Sequence, residues 1–101
     1  MIVEEREYLV RPGAAAEYAR IWADLGRKPQ TRILGNLLGF YTTEVGDLNT
    51  LVYLWAYESH EDRAKRRAEL AADPDFARFR HQVRELLVRQ SNRILTPAVP
   101  D

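Results

Sequence analysis

Arg6 and Tyr8 stand two residues apart in the first apolar-rich segment, and Tyr53 and Trp55 stand two apart in a later one. Residues two apart share a face of an extended chain, so each pair can present itself to a common space. An arginine there offers charge-assisted hydrogen bonds to an acidic or carbonyl oxygen. Tyrosines carry hydroxyls on apolar bodies, and a tryptophan supplies a flat wall. With Tyr41 added, the candidate ligand-binding group is Arg6, Tyr8, Tyr41, Tyr53 and Trp55, suited to a small apolar or aromatic molecule. Glu4 shares the Arg6 face, so the rival reading is an ion-pair network with aromatic packing at a seam between two subunits. Spacing alone does not orient one strand against its neighbour, and which face the two pairs share stays open.

Other chemistries lack their residues. The chain has no cysteine, which excludes disulfides and thiol nucleophiles and suits a reducing cytosol. Its two histidines, His60 and His81, fall on separate helical pieces, and nothing has the spacing of a structural zinc site. No metal and no cofactor are expected, although a site built mainly of carboxylates stays open. Ser59 and Ser91 have capping and strand roles that need no catalysis. No G-x-S-x-G, P-loop or dinucleotide fingerprint occurs, so catalytic residues are unassigned. The run from Arg63 to Arg67 (RAKRR) is flanked by Glu61, Asp62, Glu69 and Asp73 and lacks interleaved aromatics. It reads as a solvated helix face rather than a nucleic-acid contact. Lys+Arg and Asp+Glu both total 15, so no net charge steers the chain to nucleic acid or acidic lipid. Residues 1–7 carry charges where a signal peptide needs an apolar core, and no apolar run approaches the ~20 residues that span a bilayer. A cytoplasmic protein without membrane insertion is the expectation.

The elements that must position these residues follow from periodicity. At 101 residues the chain is one domain, assigned to 1–97 with a short tail at 98–101. Ile2 to Val10 reads as a strand closed by Arg11, Pro12 and Gly13. Ala15, Tyr18, Ile21, Trp22 and Leu25 form a helical stripe, which Gly26 is expected to end in a left-handed conformation and Pro29 to keep from resuming. Leu37 to Val45 and Thr50 to Tyr57 read as a hairpin joined by Gly46 to Asn49. Ser59 and Asp62 suggest a capping box, and Asp73 with Pro74 a second helix start. Phe76, Phe79, Val83 and Leu86 give a buried stripe, and a last strand runs from about Leu87 to Leu95. The order β-α-β-β-α-β predicts an α+β ferredoxin-like fold, a four-stranded antiparallel sheet with helices on one face.

Alternation puts Leu51, Tyr53, Trp55 and Tyr57 on one side of the third strand and Val52, Leu54 and Ala56 on the other. Both sides are apolar, helices cover only one, and an uncovered apolar sheet calls for a partner surface. A homodimer of two sheets, a dimeric α/β barrel, is therefore expected. The first strand sets Glu4, Arg6 and Tyr8 against Val3, Glu5, Glu7 and Leu9. Charges in a central strand need pairing or hydration, which calls for a polar-lined cavity on one face.

The stretch from Gly39 to Asn49 (GFYTTEVGDLN), continued from Leu54 to Ser59 (LWAYES), resembles the signature hairpin of NIPSNAP domains. Glu4, Arg6 and Tyr8 followed by Arg11, Pro12 and Gly13 resemble the family's opening strand and turn. Asp62 and Arg63, with Ala71 to Pro74, are similar to its helical region, and Leu86 to Pro97 to its closing strand. The resemblance implies a dimeric α/β barrel and carries over no catalytic set. Position 53, often His in the family, is Tyr53 here, so histidine acid–base chemistry is not available there at neutral pH. The functional expectation is a homodimer that binds a small apolar or aromatic molecule. The rivals are a cofactor-independent oxygenase, isomerase or cyclase on the same fold, and a pure protein-interaction module.

Overall fold

A computed structural model describes residues 1–99 of the chain. Strands β1 (Ile2–Val10), β2 (Asn36–Thr42), β3 (Thr50–Tyr57) and β4 (Leu87–Leu95) pair antiparallel in the order β2-β3-β1-β4. This is the ferredoxin-like α+β arrangement expected from the sequence, with β1 and β3 central. β2 is shorter than the periodicity suggests. Gly46 (φ 119°) and Asn49 (φ 59°) turn the chain, and the hairpin mouth closes where the Thr43 N–H donates to Thr50 O at 3.0 Å.

The helical run after β1 departs from expectation. α1 (Ala15–Ile21) passes through a five-residue π turn (Trp22–Gly26) straight into α2 (Arg27–Leu34), so Gly26 and Pro29 do not break it. Gly26 is right-handed, with φ −95°. Its missing side chain serves packing instead: a Cβ would stand 2.7 Å from Trp22 Cδ1 and 2.9 Å from Phe79 Cδ1. The π turn shifts the hydrogen-bond register just before Pro29, so the run continues past a residue that has no N–H to donate. The Arg27 N–H reaches back to Trp22 O, the widened closure of a π turn. That extra residue rotates the buried stripe. Leu25 becomes exposed, while Gln30, Ile33 and Leu34 turn inward. Gly35, at φ 91°, is the actual helix end, and its N–H donates to Thr31 O.

The later helices start where their caps predict. The Asp62 N–H donates to Ser59 Oγ at 3.0 Å and opens α3 (His60–Ala72). The reciprocal contact comes from the Glu58 N–H rather than that of Ser59, to Asp62 Oδ2 at 3.2 Å. The Phe76 N–H donates to Asp73 Oδ2 at 2.8 Å and, with Pro74, opens α4 (Pro74–Val83). A 3-10 turn (Arg84–Leu86) leads into β4.

The helices cover the sheet face that carries Ile2, Glu4, Tyr8 and Val10 of β1 and Leu51, Tyr53, Trp55 and Tyr57 of β3, all buried. Tyr18, Trp22, Leu34, Leu70, Phe76, Phe79 and Val83 complete the core. The three β3 aromatics thus find their cover within the chain, beneath its own helices. The opposite face carries Val3, Glu5, Glu7 and Leu9 beside Val52 and Leu54, largely half-buried. Among the described residues no helix is long and apolar enough to cross a membrane.

Candidate functional site

β1 brings an acid and a base into the covered layer. Glu4 is 0% exposed, and its Oε2 accepts from Arg63 Nη2 at 2.6 Å, Asn92 Nδ2 at 2.7 Å and Arg6 Nη1 at 3.0 Å. Burial by itself would raise the Glu4 pKa. The donors Arg63 and Asn92, with the charges of Arg6 and Arg63, outweigh burial and hold it at about 2. Glu4 is therefore an anion that fixes Arg6. Arg6 in turn donates from Nε to the Tyr8 hydroxyl oxygen at 2.9 Å. That oxygen accepts, so the Tyr8 O–H is free to donate elsewhere.

Beside this chain of contacts, between the sheet and the helices, lies a cavity of about 370 Å³. Arg6, Tyr8 and Gln90 line it from the sheet. Tyr18, Gln30, Arg67, Phe76, Phe79, Arg80 and Val83 line it from the helices, Arg84 from the turn before β4, and Leu87 from the first position of that strand. Gln30 is buried, and its Oε1 accepts from Trp22 Nε1 at 2.7 Å, which fixes its amide at the wall. The Arg80 guanidinium sits 5.7 Å from the Phe76 ring centre. Arg67 Nη1 is buried and finds no hydrogen-bond partner among the described residues. Its charge acts on the Tyr57 hydroxyl. Burial and the nearby Glu4 push the Tyr57 pKa up, against the lowering effect of Arg67 and Arg63.

The sequence-predicted group divides. Arg6 and Tyr8 reach the cavity wall. Tyr53 stands behind Tyr8 with ring centres 5.5 Å apart and stacks on Phe40 at 4.0 Å. Trp55 stacks on Tyr53 at 6.1 Å, so both lie in a dry aromatic layer next to the cavity. Burial raises the Tyr18 and Tyr53 pKa values far above the ordinary phenol range, so both rings stay neutral. Tyr41 is on the other face of the sheet and is 57% exposed. The cause is a bulge between Leu37 and Gly39, which puts Leu37 and Phe40 opposite Trp55 and Tyr53 and Tyr41 opposite Val52. One inserted residue reverses the faces that alternation assigns to the rest of the strand.

The reading of Arg63 to Arg67 as a solvated face also needs correction. Lys65 is exposed, but Arg63 and Arg67, one helical turn apart, point under the helix with buried Leu70. That spacing was the available signal for Arg67. Gln30 gave none, because the sequence reading ended the helix before it. His60 and His81 are both exposed, and among the described residues no three His, Cys, Asp or Glu side chains converge as metal ligands do.

Comparison with known proteins bears on this arrangement. A family model described as NIPSNAP matches residues 3–100. A crystal structure of a NIPSNAP-like domain protein from Burkholderia xenovorans superposes with a TM-score of 0.93 at 44% identity, covering 99% of this chain and 89% of that one. Protein NipSnap homolog 1 of Danio rerio is 28% identical over 98 residues, which cover 97% of this chain and 34% of that protein. The chain thus spans about a third of the length of the curated relatives it matches. A protein from Nitrosomonas europaea described as a putative antibiotic biosynthesis monooxygenase shares the fold, with a TM-score of 0.71 at 13% identity, covering 98% of this chain and all of that one.

Proposed function

The chain belongs to the NIPSNAP family, and from that premise we propose that it binds a small, largely apolar molecule in the cavity between its sheet and its helices. The carrying observation is the composition of that cavity. Its volume of about 370 Å³ falls in the range of ligand sites, roughly 300–1,000 Å³. Phe76, Phe79, Val83 and Leu87 give it an apolar wall, and the Arg6–Tyr8 pair gives it a fixed polar one. A convergent donor set over an apolar floor orients a ligand rather than filling a core.

Two copies of the chain pair, on this reading, through the uncovered sheet face to give a dimeric α/β barrel. Val3, Leu9, Val52 and Leu54 support this, because they form an apolar strip that none of the described helices covers. The cytoplasm is the proposed compartment, in keeping with a chain that carries no cysteine.

The test is a thermal-shift and tryptophan-emission screen with one- and two-ring aromatic compounds, neutral and charged. Trp22 reports on the cavity through its bond to Gln30. At least one compound should raise the melting temperature and shift the emission, and Leu87→Trp, which narrows the cavity, should abolish both responses. Silence across the screen, or unchanged binding in Leu87→Trp, would overturn the reading.

A further inference from the structure

The cavity wall segregates charge. The chain as a whole has formal net charge zero, yet the cavity is lined by four arginines, Arg6, Arg67, Arg80 and Arg84, and by no acidic residue. The nearest candidate counter-ion is Glu4, and it is already committed. Its Oε2 takes three donors within 3.0 Å, two of them guanidinium groups, and its Oε1 has only the Tyr57 hydroxyl at 3.5 Å. One carboxylate therefore serves Arg6 and Arg63, and none serves Arg67.

Arg67 is the residue this leaves exposed to a physical penalty. The side chain is half-buried, its Nη1 is buried without a hydrogen-bond partner among the described residues, and its hydrogen bonding and charge act on the neutral Tyr57 hydroxyl rather than on a carboxylate. A half-buried guanidinium with one N–H group unsatisfied and no carboxylate partner among the described residues carries a desolvation cost. Such a group persists where an anion completes it, and the planar guanidinium fork matches a carboxylate with two parallel hydrogen bonds. Arg80 and Arg84 are exposed, where they draw an anion toward the cavity rather than hold it.

We propose that the molecule bound in this cavity is an organic acid, an apolar or ring-bearing body whose single carboxylate is held by Arg67. The inference rests on the cavity being a binding site, as proposed above, and adds the chemical class of the ligand and its anchor. Phe76, Phe79 and Val83 receive the body, and the free Tyr8 O–H is a second donor for an oxygen on it. A monoanion matches the one half-buried arginine of the wall that has no carboxylate partner among the described residues.

Isothermal titration with 2-naphthoate and its neutral isostere 2-naphthamide separates the two claims. Wild-type protein should bind the acid at least about tenfold more tightly, the size expected of a charge-assisted pair. In Arg67→Met the preference should fall to within about twofold, with the acid losing far more affinity than the amide. Arg67→Gln provides a second, polar substitution with the same expected loss of preference. Equal binding of acid and amide by wild-type protein would overturn the acid assignment and leave the cavity reading standing. Binding of neither would overturn both. Full preference retained in either variant would show that Arg67 is not the anchor.

Discussion

Glu4 and Glu5 are adjacent, chemically identical, and live in different proteins as far as physics is concerned. Glu4 points under the helices, wholly buried, with Arg6, Arg63 and Asn92 on one oxygen. Glu5 points to the uncovered face, where Arg93 Nε meets it at 2.8 Å and the arginine side chain is 67% exposed. The same division runs through β3, where Trp55 is 0% exposed and its neighbour Leu54 is half-buried on the far side. Period-two alternation is the whole difference, and it gives the two sides of one sheet separate tasks. The covered side builds a cavity from charges that cannot leave. The uncovered side keeps charges that can exchange with water, mixed with half-buried apolar side chains.

The covered side is most vulnerable at Trp55. Trp55→Asp puts a carboxylate with no partner into the dry aromatic layer, a change larger than the roughly 5–15 kcal/mol that holds a domain together can spare. Circular dichroism of that variant should show an unfolded or aggregated chain. Native-like melting would mean that the aromatic layer is far wetter than its burial indicates. Glu4 comes next. Glu4→Leu leaves Arg6 and Arg63 facing each other without their anion, and removing one partner of a buried pair typically costs about 3–5 kcal/mol. Glu5→Leu, on the same strand, should move the urea midpoint far less. Equal losses at the two positions would erase the distinction between the faces.

Acid titration sharpens the same point with a smaller effect. A carboxyl held low stabilises the fold above its unfolded pKa, and that stability is lost as the pH falls toward the folded value. For Glu4 the window runs from the ordinary 4.5 down to about 2. At about 1.4 kcal/mol per pKa unit the contribution is on the order of 3 kcal/mol. Urea unfolding of wild type and Glu4→Gln should therefore show a stability gap that is full near neutrality and shrinks across that window. Asp62 is also held low, mainly by its bond from Arg66, and Asp73 by its cap on the Phe76 N–H. Both titrate alike in the two proteins, so the difference isolates Glu4. A gap that stays constant down to about pH 2 would mean that the network does not hold the carboxylate.

What the sequence disclosed, and what it hid, follows the range of the forces involved. Strands β1, β3 and β4, the caps at Ser59 and Asp73, and the strand order rest on local pattern and turn chemistry, and they were legible. The continuous helix through Gly26 and Pro29 was not. Its π turn answers a tertiary demand, the close approach of Trp22 and Phe79 over a residue without a side chain. Tyr41 was misplaced by one bulged residue, which no alternation rule reveals in advance. Two residues of the cavity wall were legible, Arg6 and Tyr8, from strand spacing, with Glu4 on their face. Arg67 was hidden because a run of basic residues was judged by composition, when its four-residue spacing from Arg63 put both on the face of Leu70.

Leu54 tests the uncovered side with the smallest cost to the chain itself. It pairs with Glu5 on β1 and Gly39 on β2, and no helix lies over it. Leu54→Lys sets an ammonium beside the Glu5 carboxylate in a half-hydrated position, so the isolated domain should keep its fold and nearly its melting temperature. Across a face-to-face dimer the outcome is different, because the same lysine would be carried into the apolar strip of Val3, Leu9 and Val52. Burying that charge against a second sheet costs more than the Glu5 contact returns. Light scattering on a sizing column should give twice the chain mass for wild type at micromolar concentration and the single chain mass for Leu54→Lys. A variant that stays dimeric would place the contact elsewhere on the surface, and a monomeric wild type would leave the uncovered face to water. Either result would remove the second task that the comparison assigns to that side of the sheet.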